Sequence, residues 1–197
     1  MPITTAGNGL TGVSECPKSG GIRRAWFCEV SDIAAIVAAD SAVTDLTFAS
    51  AGTGFEQIEF KRNEAEYTEN GDDPRVNTVE LSISLPNPTG AQRALLEELK
   101  STCKMYAVVE LYNEESAITG DNRLMFIGYD TKAKDSAFLT YSGHEATSGR
   151  ARTDDSMLSL TFTAEQAHLV YELTGLSGAS ATTLDDIVTE LVDATNV

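Results

Sequence analysis

Several short stretches of the 197-residue chain carry residue types that chemistry uses, and each fails on spacing or context. Gly7-Asn8-Gly9-Leu10-Thr11-Gly12 matches G-x-G-x-x-G. Such glycines cradle a pyrophosphate only between a strand and the N-terminus of a helix. Here no strand precedes them and Pro17 follows soon after, so a flexible arm is expected. His144-Glu145 opens like H-E-x-x-H, but position 148 is Ser148, and the other histidine, His168, is distant in the chain. Zinc needs several converging ligands, so no zinc site is expected. Gly175-Leu176-Ser177-Gly178-Ala179 lacks the final glycine of a nucleophile elbow. The acidic pairs Asp72-Asp73, Asp154-Asp155 and Asp185-Asp186 lack the alternating carboxylates that wrap a cation, and solvated turns or helix starts account for them. A carboxylate pair for glycoside cleavage needs an aromatic-lined groove, whereas the aromatic residues here sit mostly at core-like spacing.

Cysteine and basic residues narrow the reading further. Cys16, Cys28 and Cys103 are odd in number and include no C-x-x-C, so buried, inert thiols in a reducing cytoplasm are expected. The densest cations are Arg23-Arg24, Lys61-Arg62 and Arg150-Ala151-Arg152. The last group lies beside Asp154-Asp155, which suits an ion pair within or between subunits. No catalytic residue, metal or cofactor is expected, and the chain does not read as an enzyme.

Composition agrees with that. Fourteen basic against 30 acidic residues give a formal charge of −16, which disfavours binding to phosphates or anionic lipid. Hydrophobic residues at 42% suffice for a true core. No apolar run approaches the ~20 residues of a membrane span. The first ten residues have neither a basic nor an apolar signal region, so no secretory signal is expected.

The elements that position these residues are mostly strands. Thr78–Leu85 alternates apolar and polar, as a half-buried strand does. Thr89 and Gln92 have capping-box spacing for a helix over about 89–102, with Leu95, Leu96 and Leu99 as its apolar stripe. Met105–Tyr112 resumes strand character, and this strand–helix–strand unit is the expected folding hub. Strands are also expected at Ile22–Val30, Thr44–Ala49, Phe55–Arg62, Arg123–Asp130, Ala137–Gly143 and Met157–Thr163. Ser31-Asp32 followed by IAAIVAA fits a short helix or a β-branched turn. Residues 55–80 read as a long hairpin turning at Asn70-Gly71, its tip carrying Glu64, Glu66, Glu69, Asp72 and Asp73. Residues 144–155 read as a charged loop. Thr163 and Gln166 repeat the capping spacing, so Ala164–Tyr171 is expected to begin as a helical turn. Leu184–Val192 predicts a short helix that needs a surface to dock on, in this chain or another. The expected organisation is an extended arm over 1–21, a single mainly β (α+β) domain over 22–175, and a linker and helix over 176–197.

This arrangement resembles the tail tube (major tail) proteins of tailed bacteriophages, in a pattern closest to phages of Bacteroidetes-type hosts. The resemblance rests on Gly20-Gly21-Ile22-Arg23-Arg24-Ala25-Trp26-Phe27, the acidic hairpin and the strand–helix–strand unit. It continues through Ser148-Gly149-Arg150-Ala151-Arg152-Thr153-Asp154-Asp155 and Leu158-Ser159-Leu160-Thr161-Phe162-Thr163, and so covers roughly residues 20–173. It implies a β-sandwich or half-open barrel with one packed helix, closing into hexameric rings that stack into a tube. Genomic DNA would pass through an acidic lumen without specific binding, and other tail and neck proteins would be partners. The expected location is the virion tail, after assembly in the host cytoplasm. Under the resemblance, inter-ring or inter-subunit contacts are expected at Glu64, Glu66, Tyr67, Glu69, Asp72, Asp73, Arg75, Arg150 and Arg152. Rival readings are a tail terminator or neck adaptor, which would cap instead of repeat, and a non-catalytic carbohydrate-binding or decoration module.

Overall fold

The computed structural model describes residues 21–39, 42–52, 54–60, 64–73, 76–115, 122–132, 137–148, 156–176 and 184–193. Its plan follows from strand β1 (Ile22–Glu29), whose two faces are both apolar. Ala25 and Phe27 enter one hydrophobic cluster, while Trp26 and Cys28 enter another. A strand buried on both faces reads as a continuous apolar run, and Ala25-Trp26-Phe27-Cys28 is such a run.

The chain continues through a 3-10 turn at Val30–Asp32 into β2 (Ile33–Ala39), β3 (Ala42–Phe48), β4 (Glu56–Glu59), β5 (Ala65–Asp73) and β6 (Val76–Pro86). Helix α1 (Gly90–Ser101) leads to β7 (Met105–Glu115), β8 (Asn122–Ile127), β9 (Thr140–Thr147), β10 (Met157–Gln166), β11 (Tyr171–Leu173) and α2 (Leu184–Asp193). The strands form a seven-stranded sheet, β2-β3-β11-β8-β7-β1-β4, and a four-stranded sheet, β5-β6-β10-β9. Neighbours are antiparallel except β3 and β11. The fold is mainly β.

The first cluster lies between the two sheets. Met105, Ala107 and Val109 of β7 meet Val79, Leu81 and Ile83 of β6 and Leu160 and Phe162 of β10 there. Phe27 and Phe162 bring the sheets together, with ring centroids 6.0 Å apart. Helix α1 forms as its capping spacing predicts: Thr89 accepts from the Gln92 amide, and the Gln92 side chain reaches back to the Thr89 amide. Leu96 and Leu99 are its buried residues. The expected hub therefore joins the sheets, since β6 belongs to the smaller and β7 to the larger.

The second cluster covers the other face of the larger sheet, where Trp26, Phe48, Tyr106, Val108 and Phe126 pack. Helix α2 closes it through Ile187 and Leu191, so the surface its amphipathic pattern requires is supplied by the same chain. The contact is close. The Phe55 amide donates to the Leu191 carbonyl at 2.6 Å, and a Cβ on Gly54 would stand 2.0 Å from the Val192 carbonyl oxygen. Only glycine fits there.

Several sequence expectations need correction. IAAIVAA is strand β2, paired with β3 from Ile33 opposite Phe48 to Ala39 opposite Ala42. Alanine favours helix, but so short a run gains more from ladder bonds to a neighbour than from an isolated turn. The 55–80 hairpin divides: β4 pairs with β1 in the larger sheet, and the true hairpin is β5 with β6. Asn70 and Gly71 do not turn the chain, because Asn70 sits opposite Thr78 and the pair closes at Asp73 and Val76. Thr163 to Gln166 continue β10 opposite Glu80 to Asn77, so their amides serve the ladder and no helical turn starts. Residues 144–147 belong to β9. Cys28 is buried as expected, and burial, with the Asp32 charge next, pushes its thiol well above the usual range. Cys103 is exposed, because it follows the end of α1. Residues 1–20, with Cys16 and the glycine motif, lie outside the described residues.

Candidate assembly edges and polar clasps

The least guarded feature of the fold is the free edge of β2. Among the described residues it pairs on one side only, with β3, and ends the seven-strand order. Ile33, Ile36 and Ala38 pack against the second cluster, leaving Ala34, Ala35, Val37 and Ala39 exposed. Val37 is 51% exposed. Among the described strands β2 alone carries no ionisable residue. Edge strands usually carry charges or proline to prevent pairing with another chain; the only such device on β2 is its register shifts at Ile33/Ala35 and Val37/Ala38.

The other edges are guarded. Glu56 and Glu59 lie on β4, His144 and Glu145 on β9, and β5 carries the acidic residues singled out from the sequence. Those residues run along β5 or just before it instead of gathering at a hairpin tip. Glu66 is exposed, while Tyr67 packs against the first cluster. Glu64 precedes the strand, and its carbonyl accepts from the Ser84 amide at 2.6 Å. Glu69 is half-buried, and its Oε2 accepts from the Val170 amide at 3.1 Å. Asp72 and Asp73 lie in β5. Arg75, Arg150 and Arg152 lie outside the described residues.

Sequence reasoning missed a buried carboxylate. Glu110 stands in the apolar run of β7 and is fully buried. Its Oε1 accepts from Arg23 Nη1 at 3.1 Å and Asn122 Nδ2 at 2.6 Å, and its Oε2 from Arg24 Nε at 2.5 Å. Adjacent arginines reach one carboxylate where the β1–β7 register shifts between Ile22 and Arg24. Burial alone raises the Glu110 pKa, but the Arg24 and Asn122 hydrogen bonds and the arginine charges outweigh it and hold it below the usual carboxylate range. Arg24 also lies 5.1 Å from the Trp26 ring centroid, and Trp26 Nε1 donates to Gln57 at 3.0 Å. The arrangement clasps β4, β1, β7 and β8 together. The sequence signal was a glutamate between Val109 and Leu111.

A second clasp surrounds Asp130, also fully buried. It accepts from the amides of Lys132 at 2.6 Å, Ala167 at 2.7 Å and His168 at 2.9 Å, with His168 Nδ1 at 3.1 Å. A histidine against a carboxylate resembles half of a catalytic triad. The nearby Thr131 and Tyr171 hydroxyls bond to each other at 3.2 Å, and Asp130 is engaged by backbone amides, so the group acts as a turn lock.

Two surface depressions are lined by described residues. One of about 660 Å³ lies between the 3-10 turn and the end of α1, lined by Glu29, Ser31, Glu98, Cys103 and Lys104 among others. One of about 200 Å³ lies between α1 and the β9–β10 pair. Among the described residues no group of His, Cys, Asp and Glu is placed to hold a metal, and no helix is long and apolar enough to cross a membrane. Compared with family models, curated proteins and solved structures, the chain matches none.

Proposed function

We propose that the chain is a structural, self-assembling virion subunit of the tail tube type, closing into hexameric rings that stack around a bore for DNA. The observation that carries this reading is the β2 edge: an uncharged, apolar strand that no other described strand pairs on its outer side, in a chain of charge −16. Copies of so acidic a chain repel one another at most surfaces, and β2 is where a neighbour's strand meets neither charge nor proline. The two-sheet β architecture with α1 on its flank suits such a subunit, and the acidic balance suits a passage that must not retain a polyanion.

Negative-stain microscopy and light scattering of the purified protein test the reading. Rings or tubes are expected near physiological salt, where repulsion beyond ~8 Å is screened. A chain that stays monomeric up to high concentration would rule it out.

A further inference from the structure

Leu169 is the most exposed of the large apolar side chains among the described residues, at 67%. It stands on a turn held from both sheets. Asp130, just beyond β8 of the larger sheet, takes the amides of Ala167 and His168, and Glu69 on β5 of the smaller sheet takes that of Val170. Gln166 adds a hydrogen bond to the Tyr129 carbonyl at 2.8 Å. Two carboxylates and an amide thus fix a turn whose tip is a leucine in water. Fixing a loop before contact lowers the ordering cost of binding, and an isolated exposed leucine gains nothing by being held.

The depression of about 200 Å³ has the complementary character. Leu158 faces Ala146 and Leu160 faces His144 across the β9–β10 ladder, giving it an apolar floor with Leu96. Arg93, Leu96, Glu97 and Lys100 fall on one face of α1, and the charged members form its rim. Lys100 is paired with Glu97 at 3.2 Å, whereas Arg93 has no ion-pair partner among the described residues. A cavity near 150 Å³ takes a benzene ring, so this one has room for an isobutyl group.

We propose that Leu169 of one copy seats in the α1/β9/β10 depression of a second copy. This rests on the self-assembly reading above and names a contact distinct from the β2 edge. Charge agrees with it. Glu165, exposed and without an ion-pair partner among the described residues, lies four positions before the knob, and Arg93 rims the socket. Knob and socket sit towards opposite ends of β10, about 20 Å apart at ~3.3 Å per residue. One molecule therefore cannot satisfy both, so the contact needs a second copy, either reciprocally in a two-fold pair or head to tail, repeating from copy to copy until it closes or runs on.

Sedimentation velocity over a concentration series, with microscopy of the same samples, tests this on the full chain. Leu169→Asp should move the association midpoint upward by about tenfold or more, with unchanged circular dichroism. Leu169→Ala should give a smaller shift in the same direction. Arg93→Glu should weaken association, and adding Glu165→Arg should restore part of it. Assemblies unchanged in Leu169→Asp, or an absent rescue, would overturn the knob contact while leaving the tube reading standing. Leu169-dependent filaments without rings would support the contact and overturn the tube. A wild-type chain that stays monomeric would overturn both.

Discussion

The two ends of the seven-stranded sheet are built on opposite principles. At the β4 end a polar network crosses the strands: Glu110 holds Arg23 and Arg24, Arg24 lies over Trp26, and Trp26 donates to Gln57. At the β2 end, alanines and Val37 face water with no charge on the strand. The first arrangement locks an edge to its own sheet, and the second leaves an edge available. The stability of the sheet and its capacity to associate are thereby placed at different ends, and substitutions should separate them.

Glu110→Ala should have the largest effect. It leaves Arg24, which is 17% exposed, without its partner, and breaking a buried pair from one side costs about 3–5 kcal/mol. Urea unfolding should show that loss, and a variant as stable as the parent would show that the β4 end is not locked by charge. The pH dependence follows. A lowered folded-state pKa means that Glu110 stabilises fully above its unfolded value near 4.5, and that this is lost as pH falls through the folded value. Glu110→Gln should flatten that acid limb, and an unaltered limb would assign it to other carboxylates.

In the second cluster, burial first and then the Cys28 and Tyr129 charges push Tyr106 from 10 up to about 12. Its contribution is complete below pH 10 and declines as pH rises towards 12, so Tyr106→Phe should remove that part of alkaline unfolding. The smallest effect on stability belongs to the other end of the sheet. Val37→Lys should alter it by less than about 0.5 kcal/mol, as exposed substitutions do, yet abolish rings in negative-stain microscopy, leaving only the association carried by Leu169. Rings that survive the lysine would place the strand contact elsewhere.

Much of the framework was legible in the chain. Thr89 and Gln92 specify where α1 begins because capping is local chemistry between residues three apart. The alternation in β6 and in β10 through Phe162 specifies which side chains face inward because strand periodicity is local too. The amphipathic stripe of α2 specified that it must dock. The acidic residues of β5 were visible, but their setting was not. A strand with one wet face and few apolar residues reads like a loop until β6 lies beside it.

Sequence by itself determined a mainly β, strongly acidic chain with a helix between two strands. Tertiary structure alone decided that β4 joins β1, that IAAIVAA is a sheet edge, and that Glu110 and Asp130 are buried clasps. The physical reason is range. Caps and periodicity act within a few residues, whereas Arg24 meets Glu110 from 86 positions away and Glu69 meets Val170 from 101. Such partners are chosen when sheets pack, and no local pattern records the choice.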